Sequence, residues 1–358
     1  MSLDEFQNAP IDEARRQLEI CNACRYCEGY CAVFPAMTRQ KQFASGDITQ
    51  LATLCHNCRG CYYACQYTAP HEFDLNLPQA LAEVRAESWQ ALAWPIGFAR
   101  LFQRSGLAVA LAFVVGFALL FWLARALPNG GGEGFYAQLS HNALMAIFLP
   151  AFLLPLVAII VALRRYWALV GGGPIRARHL LSALHDAARM RNLDGGQGQG
   201  CNFEVEDRFS GARRSAHQLV MWGFLLCFAA TSVATLMHYM MGWHAPYALL
   251  TPPKILGVPG GIMLVVGTIW LARLKRRADP ELSAKSVASG EMGFVALLFL
   301  TGASGLALYA ARNTGAMPLL LALHLGAVFS FFLLMPYSKM IHGFVRLAAL
   351  ARDAQDRS

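Results

Sequence analysis

From residue 106 onward the apolar residues come in long blocks. Six of them, near 106–125, 143–163, 217–240, 255–273, 292–311 and 317–338, are each long enough to cross a hydrocarbon core of about 30 Å. Ahead of them the pattern changes. Residues 1–20 predict a short polar helix from Ile11 to Ile20, and the cysteine-rich stretch that follows has little of the alternation that marks strands. From Pro78 to Trp94 an amphipathic pattern (Leu81, Val84, Trp89, Leu92, Trp94) ends at Pro95, as expected of a helix at a membrane interface. The expected fold is therefore all-α. A small helical domain (1–80) leads through an amphipathic connector (81–104) into a six-helix transmembrane bundle (105–345) with a short tail (346–358).

Composition supports the membrane reading and charge orients it. The chain of 358 residues is 56% hydrophobic and only 15% charged, with a mean hydropathy of +0.38. Its net charge of +8 points away from nucleic acid once the basic residues are located. Arg164, Arg165, Arg176, Arg178, Arg189, Arg191, Arg208, Arg213 and Arg214 lie between the second and third blocks, and Arg273, Lys275, Arg276, Arg277 and Lys285 follow the fourth. The alternate connections, near 126–142, 241–254 and 312–316, are poor in Lys and Arg. An even number of spans with this bias places both termini in the cytoplasm of a bacterial inner membrane. The acidic start, Met1 to Phe6, has no apolar core of a secretory signal.

Eight of the ten cysteines fall in two runs of identical spacing, Cys21, Cys24, Cys27, Cys31 and Cys55, Cys58, Cys61, Cys65. Each reads C-x2-C-x2-C-x3-C, the spacing by which thiolates wrap a [4Fe–4S] cluster, with the fourth cysteine of one run serving the other cluster. The expected sets are Cys21, Cys24, Cys27 and Cys65 for the first cluster, and Cys55, Cys58, Cys61 and Cys31 for the second. Zinc sites usually pair two well-separated C-x2-C knuckles, so iron–sulfur is favoured. Cys201 and Cys227 stand alone. The glycine-rich stretch 192–201 lacks a preceding strand and a Walker lysine, so it reads as a flexible loop and not as a phosphate cradle.

Ionisable residues in membrane spans are costly and usually functional. His217 and His238 mark the third span; His324 and His342 are assigned to the sixth. On one continuous helix, His324 and His342 would share a face about 27 Å apart, and His217 and His238 would be about 31 Å apart. Antiparallel packing would then give two facing pairs, His217/His342 and His238/His324, suited to axial ligation of haem b, with two haems favoured over one. His141 and His244 at the opposite loops are possible substitutes. No nucleotide or flavin fingerprint is present, so no flavin is expected on this chain.

The segments CNACRYCEGYCAVFPAM, CHNCRGCYYACQYTAPHEF, ALHDAARMRNLDGGQGQGCNF and HQLVMWGFLLCFAATSVATLMHY closely resemble the tricarballylate utilisation protein B family, also labelled citrate utilisation protein B. The likeness covers nearly the whole chain. It implies a twin-cluster domain joined to a haem-bearing membrane domain that reoxidises the FAD of a partner dehydrogenase, converting tricarballylate to cis-aconitate, and delivers electrons to membrane quinone. Similar modules are fused to a flavoprotein of cobalamin biosynthesis, so the family label alone does not fix the substrate. A haem-free, membrane-tethered ferredoxin or redox sensor is the alternative of a different class.

Overall fold

The computed structural model describes residues 9–126, 137–196, 198–203, 208–243, 245 and 247–358, except 32 and 41. His244 lies outside the described residues. Helices α1 (Ala9–Cys24), α2 (Val33–Met37), α3 (Ser45–Leu54), α4 (Gly60–Tyr63) and α5 (Leu77–Leu92) form the cysteine domain. The membrane-length helices are α6 (Ile96–Ala124), α7 (His141–Leu169), α9 (Ala212–Met241), α10 (Pro252–Arg277), α11 (Ala288–Ala310) and α12 (Met317–Leu334). Two further helices, α8 (Ala177–Arg189) and α13 (Ile341–Asp356), lie outside the spans. Among the described residues there is no strand, only an isolated bridge between Cys201 and Ser210. The fold is all-α, with six helices long and apolar enough to cross a membrane.

The bundle packs through small residues, as expected where lipid removes the hydrophobic drive between helices. A Cβ added at Gly106 of α6 would lie 2.5 Å from the Gly290 Cα of α11, and one at Gly223 of α9 would lie 2.7 Å from the Leu264 nitrogen of α10. Leu119, Leu120, Leu154 and Ile160 point outward, where lipid would receive them.

The cysteine domain and the bundle share a core. Ile11, Leu18, Met37, Ile48, Leu51, Leu81 and Val84 pack in one cluster with Ile159, Ala162 and Tyr166 of α7 and with Ile341, Val345 and Ala349 of α13. A buried polar chain crosses the join: Tyr166 donates to Gln50 Oε1 at 2.5 Å, and Gln50 Nε2 donates to the Ala349 carbonyl at 2.8 Å. The amphipathic stretch after Pro78 is helical, as its pattern predicts. Its Leu81 and Val84 are buried against the cysteine domain, and Trp94, just before α6, is exposed.

One expectation is corrected. The sixth span does not continue to His342, because α12 stops at Leu334 and α13 starts at Ile341. Pro336 lacks the N–H that would continue the ladder, and the chain turns through short-range bonds such as His342 N–H to the Lys339 carbonyl at 3.1 Å. His324 and His342 therefore sit on different helices.

Candidate functional site

The cysteines are placed by helix ends and by left-handed residues between them. Cys21 and Cys24 close α1, and Arg25 (φ 54°) turns the chain so that Cys27 follows. In the second run Asn57 (φ 52°) and Arg59 (φ 69°) do the same. Backbone N–H groups two residues on point at sulfur: Val33 to Cys31 at 3.3 Å, Asn57 to Cys55 at 3.4 Å, Tyr67 to Cys65 at 3.4 Å. Such donors favour thiolate and tune a metal bound to it.

The two runs interleave. Burial, and then the neighbouring Cys65, Cys27 and Cys24, push the Cys21 thiol up to about 12. A hydrogen bond with Cys58, burial, and the nearby Cys55 and Cys61 likewise hold Cys31 far above its usual range. Cys31, Cys55, Cys58 and Cys61 line one cavity with Phe34, Met37 and Leu81. Each fourth cysteine thus lies with the other run's first three. Arg59 lines the same cavity; four thiolates there would still repel one another without further cationic charge among them, so this donor set fits an iron–sulfur cluster. No three or more of His, Cys, Asp and Glu among the described residues close on a single point tightly enough for one metal ion.

Arginines anchor the second cysteine loop. Arg85 Nη1 donates to the carbonyls of Ala52 at 2.8 Å and Cys55 at 2.9 Å, and Arg346 Nη2 also reaches the Cys55 carbonyl at 2.9 Å. Arg213 Nη1 donates to the Asn57 carbonyl at 2.8 Å. Arg213 is four residues before His217 on α9, and Arg346 four residues after His342 on α13. Each histidine thus has an arginine one helical turn nearer the cysteines. Burial, with the adjacent Arg85 and Arg213, pushes the Arg346 guanidinium well below its ordinary value.

The glycine-rich segment, expected to be a flexible loop, packs down here instead. The Asn202 N–H donates to the Cys58 carbonyl at 2.8 Å, and Gly196 N–H to the Tyr30 carbonyl at 3.0 Å. A Cβ at Gly196 would fall 1.9 Å from the Gly29 oxygen, which requires glycine. The Arg59 and Arg213 guanidinium carbons both lie over the Phe203 ring, 4.6 and 4.1 Å from its centroid. Buried Cys201 packs beside Cys58 and donates to the Leu193 carbonyl. The glycines at 195–200 were the available signal, but their partners lie far away in sequence.

His217 and His342 are brought together, their ring centroids 5.7 Å apart and the planes crossed at 78°. His342 Nδ1 is bonded to the Lys339 carbonyl, leaving Nε2 as the outward nitrogen. The other two histidines have different neighbours. His238 stacks on His141 with centroids 4.2 Å apart, and His141 Nε2 lies 2.8 Å from the Tyr239 hydroxyl. His324 Nδ1 is 3.0 Å from Ser304 Oγ, beside Gly305. Near the first pair, Glu291 bridges Lys275 and Lys339, tying α10, α11 and the turn before α13. Of the four buried side-chain nitrogens or oxygens without a hydrogen-bond partner among the described residues, three are here: Trp89 Nε1, His217 Nδ1 and Arg346 Nε. Native interiors rarely leave such atoms unpaired, and the two imidazoles beside them are of the residue type that could hold a haem.

Two family models match adjacent parts of the chain. Residues 97–358 match the family model described as citrate utilization protein B, and residues 14–91 match that of its Fer4-like domain. The chain is 43% identical to a citrate utilization protein B of Escherichia coli over 357 residues, covering 97% of this chain and 93% of that protein. No solved structure matches. With its ferredoxin-like, iron–sulfur type of N-terminal domain and its six apolar helices, the chain belongs to the citrate utilization protein B family.

Proposed function

We propose that the chain is a membrane-bound electron-transfer protein. It reoxidises the reduced FAD of a partner dehydrogenase, with tricarballylate as that partner's substrate, and passes electrons through two [4Fe–4S] clusters and b haems to quinone. The observation that carries this reading is continuity: Cys55 of the second set is hydrogen-bonded to Arg346, one turn from His342, whose ring faces His217. The first cluster is assigned to Cys21, Cys24, Cys27 and Cys65, the second to Cys55, Cys58, Cys61 and Cys31. One haem is assigned to His217 and His342; His238 and His324, which have different neighbours in the structure, are the expected pair for a second.

The bound groups, once in place, would carry single electrons between a two-electron flavin and a two-electron quinone. This chain's residues would hold them at fixed separations and supply N–H donors to sulfur. The His342–Lys339 bond fixes the ring orientation.

The test is a reduced-minus-oxidised visible spectrum of membranes containing the protein, followed by quinone reduction driven by the reduced dehydrogenase. A b-type α-band that appears with dehydrogenase and substrate, and decays on adding quinone, is expected. Iron–sulfur signals without any α-band would replace this reading with a tethered ferredoxin or redox sensor. A band reduced only by another flavoprotein would move the input to that partner.

A further inference from the structure

The junction between the second cysteine set and the His217/His342 pair carries an unbalanced charge. Arg85, Arg213 and Arg346 converge there, each donating to a backbone carbonyl of the segment 52–57. Cys55 faces both Arg85 and Arg346, but the thiolates of one cluster offset only part of a set of cations that also includes Arg59, and the nearby Glu291 is engaged with Lys275 and Lys339. Trp89 lies against this corner, its ring 6.0 Å from the Arg85 guanidinium carbon and 5.9 Å from that of Arg346. Of the three unpaired atoms in this region, the two at this corner, Arg346 Nε and Trp89 Nε1, are both donors. Buried donors without acceptors beside surplus positive charge call for an anion with acceptor oxygens. A neutral carbonyl would satisfy the hydrogen bonds and leave the charge; a carboxylate satisfies both.

We propose, resting on the haem reading above, that Arg346 and Trp89 form a carboxylate-binding corner for the propionates of the tetrapyrrole held by His217 and His342. The same Arg346 side chain donates through Nη2 to Cys55, so the corner joins the edge of that group to the loop of the second cluster. Arg346 and Trp89 are positioning residues; they hold the edge and lend positive charge, which favours the reduced form.

The experiment uses the full-length protein in nanodiscs and compares Arg346→Gln, Arg346→Lys and Trp89→Phe with the unaltered chain. Readouts are EPR of the reduced clusters, redox titration of the α-band, and redox-difference infrared spectra with haem labelled in its carboxylates. Arg346→Gln should keep the band but lower the reduced-to-oxidised ratio at fixed poise at least tenfold, about 59 mV for one electron. Trp89→Phe should shift it less in the same direction, Arg346→Lys should recover most of the loss, and the labelled carboxylate bands should move in both non-conservative variants. If Arg346→Gln costs the second cluster, Trp89→Phe decides alone, since Trp89 is bonded to no cysteine carbonyl. An unmoved midpoint in the variants, or a moved midpoint with unmoved carboxylate bands, overturns the proposal while leaving the haem reading intact. Absence of any b-type band in the unaltered protein defeats that parent reading and this one with it.

Discussion

At the scale of single residues, the interleaving of the two cysteine runs makes the sharpest prediction. Cys31→Ser should remove the cluster that Cys55, Cys58 and Cys61 help to hold and spare the one at Cys21, Cys24 and Cys27; Cys65→Ser should do the reverse. EPR of the two reduced clusters separates the outcomes, and loss of the run's own cluster in each variant would refute crossed ligation. His217→Ala and His342→Ala should abolish one and the same α-band component, because the two rings face one another. Two different lost components would break the pair apart. Candidate residues were the most legible level in the sequence, because cysteine spacing is a local signal, though the placing of His342 on the sixth span was not right. The arginines were not legible as parts of the site. Arg213 and Arg346 look like ordinary basic flanks of spans, and only folding brings them to the carbonyls of Asn57 and Cys55.

At the scale of elements, length and hydropathy find all six long helices, because a span is a local property. What they miss is the break after Leu334. A proline inside an apolar run sometimes only kinks a helix; here the polar residues Tyr337, Ser338 and Lys339 find turn partners and the helix stops. The packing contacts are equally silent in sequence, since a glycine at an interface and one facing lipid look alike. This is testable on α6. Gly106→Leu should cost about 1–3 kcal/mol by forcing α6 from α11. Gly116→Leu, with nothing within 4 Å of its added Cβ, should leave the melting temperature in detergent unchanged. Equal melting temperatures for both variants would contradict the packing described. Likewise, Gly305→Val should disturb His324, since a Cβ there would already stand 3.0 Å from the ring, and a changed band shape is the expected result.

At the scale of the whole molecule, six spans put the two ends on one side, and the basic connections predict that side to be the cytoplasm. An epitope inserted at Gly315 should be reached by antibody only from the periplasmic face, while a C-terminal tag is reached only from the cytoplasmic face. Labelling of both from one face would overturn the topology. The sequence divides the chain into a cysteine domain and a membrane domain but gives no sign of how firmly they are joined. The core that runs from Ile48 and Leu81 through Tyr166 to Val345 and Ala349 answers that. Many redox proteins carry their charge on a swinging arm, whose reach and residence time set the rate. Here Cys55, with Cys21, Cys27, Cys31 and Cys61 packed beside it, shares that core with Ile341, the neighbour of His342, so under the proposed function the gap an electron must tunnel across would be set at folding and not by domain motion. Turnover should then be nearly indifferent to solvent viscosity within the chain, and any viscosity dependence should arise where a partner docks or a quinone departs.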